Sequence, residues 1–114
     1  MATFNENNSD YRNYIKSAIK QCLDRGVDAL RVDTVKHVPI WFLQEFNADI
    51  QAHKLNVFIF GEWIYNNAND VPSVEFANNS GMTVLYFGLC MAIRHALRLN
   101  HEAGFNLRPK NFNN

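Results

Sequence analysis

The first strongly periodic segment of the chain predicts an amphipathic helix. Ser9 or Asp10 is a suitable N-cap, and Gly26 can adopt the left-handed conformation that commonly ends a helix. We therefore expect a helix that begins at Asp10 and ends before Gly26. Its apolar residues recur at steps of three and four along one face and are Tyr14, Ile15, Ala18, Ile19, Cys22 and Leu23.

Two apolar runs that follow predict strands with a second helix between them. The first run is VDALRVD at 27–33. The second, VFIF at 57–60, is continuously apolar, as expected of a parallel strand buried on both faces. Pro39 favours the first turn of the intervening helix, which fades at 53–54. The large apolar residues of that helix are Trp41, Phe42, Phe46 and Ile50, and we expect its aromatic residues to lie in the core.

The remainder of the chain predicts a loop, a third strand, a third helix and a tail. Residues 65–81 are rich in Asn, Asp, Pro and Ser, which indicates a long loop. MTVLYF at 82–87 is a strand candidate, and residues 89–99 have helical apolar spacing. Residues 101–114 have no period, so we expect a disordered tail on a single partial domain.

This alternation of helices and strands predicts an α/β fold. Successive strands joined through helices run parallel in one sheet and are connected by right-handed crossovers. Asp33 follows the first strand, and Glu62 follows the second. Because active sites of such folds lie at the carboxyl ends of the strands, chain order places both carboxylates on the same edge.

Composition and charge narrow the classes of partner. Eleven Lys and Arg residues balance eleven Asp and Glu residues, so charge gives no reason to expect nucleic acid or an anionic membrane surface. No apolar run approaches the roughly 20 residues of a membrane-spanning helix, and the first residues do not resemble a signal peptide, which leaves localisation open. Cys22 and Cys90 are too few for a disulfide framework or a four-ligand zinc site, and we expect buried thiols.

Two carboxylates at the ends of neighbouring parallel strands suit the hydrolysis of glycosidic bonds. One carboxylate can attack the anomeric carbon while the other, as an acid, protonates the leaving oxygen. Spacing alone does not select this chemistry, because carboxylates at strand ends also bind metals, cap helices and pair with arginine.

The segments around both carboxylates resemble the alpha-amylase family of glycoside hydrolases. GVDALRVDTVKH at 26–37 is similar to the nucleophile region of that family, and FGEW at 60–63 is similar to its acid/base region. FANNSGM at 76–82 is similar to the sixth strand and helix of bacterial cyclodextrin glucanotransferases and related amylases. The resemblance covers residues 4–99. It implies a retaining hydrolase acting on the alpha-1,4-glucosidic bonds of starch and maltooligosaccharides.

The resemblance also implies a role for each residue that matches these motifs. Asp33 would be the nucleophile that forms a covalent glucosyl intermediate. Glu62 would be the general acid and then the general base. Arg31 would hydrogen-bond Asp33.

Further contacts beside the catalytic pair follow from the same resemblance. Lys36 and His37 would contact sugar hydroxyls, and Trp63 would flank the acid and face the substrate. The main-chain carbonyl of His37 would be a ligand of a structural calcium ion, in a site that this chain leaves incomplete. Ile64 stands where transferases of the family often carry an aromatic residue, which favours hydrolysis. From the residues alone, Lys36 and His37 can equally be solvated residues at a helix entry.

The family's catalytic domain is a closed (β/α)8 (TIM) barrel of about 250 residues, so the resemblance implies a part of one. The chain would supply about three parallel strands with three helices, resembling the fourth to sixth strands of the barrel. Both edges of so short a sheet would be unpaired, so we expect a homo-oligomer that covers them. Three interpretations stay open. The chain is an enzyme acting on alpha-glucan, a noncatalytic glucan-binding or pseudo-enzyme fragment of a larger amylase, or a folding unit of a larger amylase without an independent role.

Overall fold

The chain alternates between helices and strands in the residues that this computed structural model describes, 4–64 and 71–103. A first helix precedes the sheet, and each described strand is then followed by a helix. The elements are α1 Ser9–Asp24, β1 Ala29–Val32, a 3-10 helix Val35–His37, α2 Ile40–His53, β2 Phe58–Gly61, α3 Val71–Ser80, β3 Thr83–Val84 and α4 Phe87–Ala103.

The described strands form one parallel sheet in the order β1–β2–β3. Parallel neighbours need a crossover connection, and α2 and α3 supply the two that this sheet requires. The predicted α/β class with three parallel strands is therefore confirmed. Val32 at the end of β1 lies opposite Gly61 at the end of β2, so Asp33 and Glu62 leave the sheet side by side.

Helix α1 begins at Ser9 because Asn8, and not Ser9 or Asp10, is its cap. The Asn8 Oδ1 atom accepts hydrogen bonds from the main-chain N–H groups of Asp10, at 2.8 Å, and Tyr11, at 3.3 Å. Gly26 follows the other end with a φ of +104°, a conformation that side chains rarely adopt. The predicted helix and its glycine stop are confirmed.

A helix occupies most of the segment that the sequence predicted as a loop. Residues 71–80 form α3, and residues 65–70 lie outside the described part of the chain. Three α3 side chains at helical spacing are buried, namely Ser73, Phe76 and Ser80. Packing of this narrow face against α2 overrides the weak helix propensity of the Asn, Ser and Pro residues around it. The structure thus has a fourth helix where three were expected.

The C-terminal boundaries also differ from the prediction. Strand β3 is limited to Thr83–Val84, and α4 already begins at Phe87, inside the predicted strand. Helix α4 continues to Ala103, so the first residues of the predicted tail are helical. Residues 104–114, the rest of that tail, lie outside the described residues.

Three side chains that were expected to be buried are exposed. They are Cys22, Cys90 and Trp41, of which Trp41 retains 40% of its accessible surface. The Trp41 ring lies instead beneath Arg12, whose guanidinium carbon is 5.7 Å from the ring centroid. The apolar stripes of these helices are wider than the surface that their neighbours cover, which is why periodicity alone overestimated burial.

Helices α1, α2 and α3 contribute to the core that covers one face of the sheet, whereas the other face is open within the described residues. Leu30, Val32 and Val84 point from the strands toward the helices and pack against the core. On the opposite face Phe58 is 55% exposed. The core itself consists of Leu23, Val35, Leu43, Phe46, Ile50, Val57, Ile59, Phe76 and Met82. Every helix within the described residues is too short or too polar to cross a membrane.

An ionic cluster joins α1 to α2 on the covered side. Lys16 Nζ lies 2.7 Å from Glu45 Oε1 and 3.3 Å from Asp49 Oδ2. Lys20 Nζ adds a contact of 3.1 Å to Asp49 Oδ1. The hydrogen bond from Lys16 holds the pKa of Glu45 below its ordinary value, and the hydrogen bond from Lys20 does the same for the pKa of Asp49.

These pKa shifts predict a loss of stability in acid. Because the folded-state pKa values of Glu45 and Asp49 lie below the ordinary 4.5 and 3.8, both carboxylates stabilise the fold above those values. The contribution disappears as the pH falls through the folded-state pKa values. Between about pH 5 and pH 3, the free energy of unfolding of Glu45→Gln should fall by about 0.5–1 kcal/mol less than that of the wild type, as measured by urea denaturation.

The control for this prediction is Glu75→Gln, because Glu75 is an exposed carboxylate on α3. That variant should keep the wild-type pH dependence. Equal slopes for Glu45→Gln and wild type would contradict a stabilising role for the cluster.

The open face of the sheet supports the expectation that the chain self-associates. The exposed Phe58 ring lies 5.4 Å from the Phe60 ring, centroid to centroid, and the two form an apolar patch on that face. We expect sedimentation velocity at micromolar concentration to detect dimers or larger species, and Phe58→Gln to shift them toward the monomer. Leu55→Gln is the matched control, since Leu55 is 77% exposed but lies outside the sheet. A monomeric wild-type chain would contradict the prediction.

Candidate active site

Arg31 joins the two carboxylates at the carboxyl edge of the sheet. Its Nη2 atom lies 3.2 Å from Asp33 Oδ1 and 3.3 Å from Glu62 Oε1. Because one nitrogen contacts both oxygens, these two oxygens can be no farther apart than the sum of the two distances. That limit accommodates the roughly 5 to 5.5 Å between the carboxyl groups of retaining glycosidases. The residues from the two sequence motifs therefore meet in space.

The two carboxylates have unequal surroundings. The Glu62 side chain is 13% exposed, whereas the Asp33 side chain is 71% exposed. Glu62 Oε2 accepts a hydrogen bond from the Thr34 N–H at 3.3 Å. The Asp33 carboxylate faces water over most of its surface. In lysozyme the carboxyl that transfers the proton is the sheltered one and its partner carboxylate is partly solvated, an asymmetry of the same kind.

Close packing beneath the site fixes the position of Glu62. Val35 is 1% exposed, and its two methyl carbons lie 2.9 Å from where a Cβ atom on Gly61 would stand. The Val35 N–H also donates to the main-chain carbonyl of Glu62 at 3.2 Å. A residue without a side chain at position 61 is what allows this approach. Sequence reasoning missed the contact, although both residues belong to the motifs that it singled out.

Lys36 and Trp63 contact each other next to the carboxylates. Lys36 Nζ lies 5.9 Å from the Trp63 ring centroid. The Trp63 ring also packs against Phe76, with the centroids 5.2 Å apart, and its Nε1 is buried without a hydrogen-bond partner in the described residues. His37 is exposed at the end of the 3-10 helix. Much of the Trp63 ring is thus occupied by the protein, and contact of these three residues with sugar stays a prediction.

The predicted calcium ligand, the main-chain carbonyl of His37, lacks a matching set of side-chain ligands within the described residues. Residues 4–64 and 71–103 contain no cluster of three or more His, Cys, Asp or Glu side chains suited to a metal. Ca²⁺ takes six to eight oxygen ligands, and the main-chain carbonyl of His37 supplies one. The described residues therefore do not fit a calcium site by themselves.

A cleft of about 280 Å³ lies beside Arg31 and Asp33, between α1, β1 and α2. Arg31 and Asp33 stand among its lining residues, whereas Glu62 does not. The other lining side chains are mostly apolar, including Ile15 and Phe46. The cleft therefore does not enclose both carboxylates.

The approach of Gly61 to Val35 can be tested by a double-mutant cycle. Gly61→Ala should lower the free energy of unfolding by about 1–3 kcal/mol, because the added methyl overlaps Val35. Val35→Ala also destabilises, since it removes buried methyl groups, but it makes room for the new side chain. The double variant should therefore lose less stability than the sum of the two single variants, measured by urea denaturation. Strict additivity would contradict the close approach.

The chain is similar in sequence to proteins named cyclomaltodextrin glucanotransferase and alpha-amylase. It is 46% identical over 101 residues to a cyclomaltodextrin glucanotransferase of Niallia circulans, a match that covers 88% of this chain and 14% of that protein. It is 38% identical over 108 residues to an alpha-amylase of the same organism, covering 94% of this chain and 20% of that protein. No family model matches the chain. The chain thus spans a fifth or less of the length of these relatives.

The fold is similar to part of a solved structure. CldA, described as a cyclomaltodextrin glucanotransferase with a three-domain ABC distribution, superposes with a TM-score of 0.78 at 33% identity. The superposition covers 83% of this chain and 20% of that protein. The structural neighbours are TIM-barrel amylases, so the three strands and their helices correspond to part of such a barrel.

Proposed function

Because this chain belongs to the alpha-amylase family of glycoside hydrolases, we propose that its Asp33 and Glu62 cleave alpha-1,4-glucosidic bonds of starch and maltooligosaccharides with retention. The observation that supports this most directly is the position of Arg31 Nη2 within 3.3 Å of an oxygen of each carboxylate. Because the two contacted oxygens can be no farther apart than the sum of these distances, the arrangement is compatible with the carboxyl spacing that double displacement needs.

In the proposed mechanism the two carboxylates act in two steps. Asp33 attacks the anomeric carbon as the glycosidic bond breaks, and Glu62 gives its proton to the leaving oxygen. The product of this step is a glucosyl ester on Asp33. Glu62, now ionised, takes a proton from a water molecule whose oxygen attacks the same carbon, which releases the sugar and restores Asp33. Arg31 hydrogen-bonds Asp33 Oδ1 and thereby orients the nucleophile.

We favour hydrolysis over transfer to a second sugar. Transfer needs an acceptor sugar held beside the acid in place of water, and an aromatic side chain provides a stacking surface for it. Ile64 occupies the position next to Trp63 and is 54% exposed without offering a ring. The similarity to a glucanotransferase at 46% identity supports the same bond cleavage and leaves the choice of acceptor to such local differences.

A noncatalytic glucan-binding role is the second candidate. It is favoured by the 71% exposure of the Asp33 side chain and by a cleft whose lining excludes Glu62. Electrostatic stabilisation of a transition state is strongest where water is excluded. An enzyme whose site is open to water is therefore expected to turn over slowly. We expect the isolated chain to be far slower than an enzyme with an enclosed site.

Release of reducing sugar from soluble starch tests the catalytic proposal. Asp33→Asn and Glu62→Gln should each lower the rate by at least about 100-fold, because each removes a group that reacts. Glu75→Gln, an exposed carboxylate on α3, should retain the wild-type rate. Equal rates in all four proteins would rule out the catalytic assignment. Calorimetric binding of maltooligosaccharide without any sugar release would support the second candidate.

A further inference from the structure

Thr34 has an unusual backbone conformation directly after Asp33. Its φ and ψ are 48° and 41°, in the left-handed region that β-branched residues rarely occupy. The side chain of Thr34 is exposed, so burial of that side chain does not explain the conformation. We therefore consider the hydrogen bonds that the main-chain N–H groups of this turn donate.

The left-handed turn directs two consecutive N–H groups at one residue. The Thr34 N–H donates to Glu62 Oε2 at 3.3 Å, and the Val35 N–H donates to the Glu62 carbonyl oxygen at 3.2 Å. Val35 begins the 3-10 helix, so a left-handed residue is followed by a right-handed one. The turn therefore ties both the side chain of Glu62, through Oε2, and its main chain, through the carbonyl oxygen, to two adjacent residues.

We infer that the main chain of Thr34 is a positioning element for Glu62, which fixes Oε2 and leaves Oε1 as the oxygen that exchanges a proton with the sugar. This inference rests on the proposed acid/base role of Glu62. The N–H at position 34 belongs to the backbone and can only donate, so it holds Oε2 as an acceptor. The other donor, Arg31, is a 53% exposed side chain that also contacts Asp33, and it can turn away from Oε1.

The contact can be measured by nuclear magnetic resonance without reference to activity. In the ¹⁵N-labelled 114-residue chain, the Thr34 amide proton should shift as the pH crosses the range in which carboxyl groups titrate, roughly pH 3 to 7. Its midpoint should equal that of the Glu62 side-chain carboxyl carbon. Glu62→Gln should abolish this titration. Asp33→Asn should preserve it, which separates Glu62 from the adjacent carboxylate.

A second variant tests the backbone requirement. Thr34→Gly retains the N–H and adopts positive φ without strain, so the amide at position 34 should still titrate with Glu62. A Thr34 amide that does not respond to Glu62, or that responds only to Asp33, would overturn the inference. A chain that shows the titration but releases no sugar would keep the positioning contact and lose the proposed function. Sugar release without the titration would support the proposed function and contradict the positioning contact.

Discussion

The parallel pairing of β1 with β2 is the constraint on which the rest of the site depends. It sets Val32 opposite Gly61, so the next residue of each strand, Asp33 or Glu62, emerges at the same edge. Arg31 lies two residues before Asp33, on the same face of the sheet, and from there one guanidinium nitrogen reaches both carboxylates. A register shift of one residue would turn one of them toward the helices and separate the pair.

The two faces of the sheet differ in what they carry. The helix-covered face holds the apolar core, and the adjoining contact between α1 and α2 holds an ionic cluster around the nearly buried Lys16. The opposite face carries Arg31 and the exposed Phe58, and Arg31 contacts both carboxylates at the edge of the sheet. The fold can therefore be stabilised from one side while the other remains accessible to a sugar or to further protein.

Small backbone features turn this general arrangement into a specific site. Gly61 admits Val35 beneath the strand end, and the left-handed Thr34 brings its N–H to Glu62. The result is one carboxylate that is held on several sides and one that is largely solvated. Residues with ordinary side chains and conformations at positions 34 and 61 would leave the same two carboxylates without this difference.

The sequence by itself determined what depends on local period and chain order. The stripe of α1, the apolar run of β2 and the placement of Asp33 and Glu62 after successive strands are all readable from spacing. The tertiary structure alone decided the helix α3 and the exposure of Trp41. It also decided the hydrogen bond between residues 34 and 62, which are 28 residues apart. Such features depend on which surfaces meet across the core, and spacing along one segment carries no information about its partner.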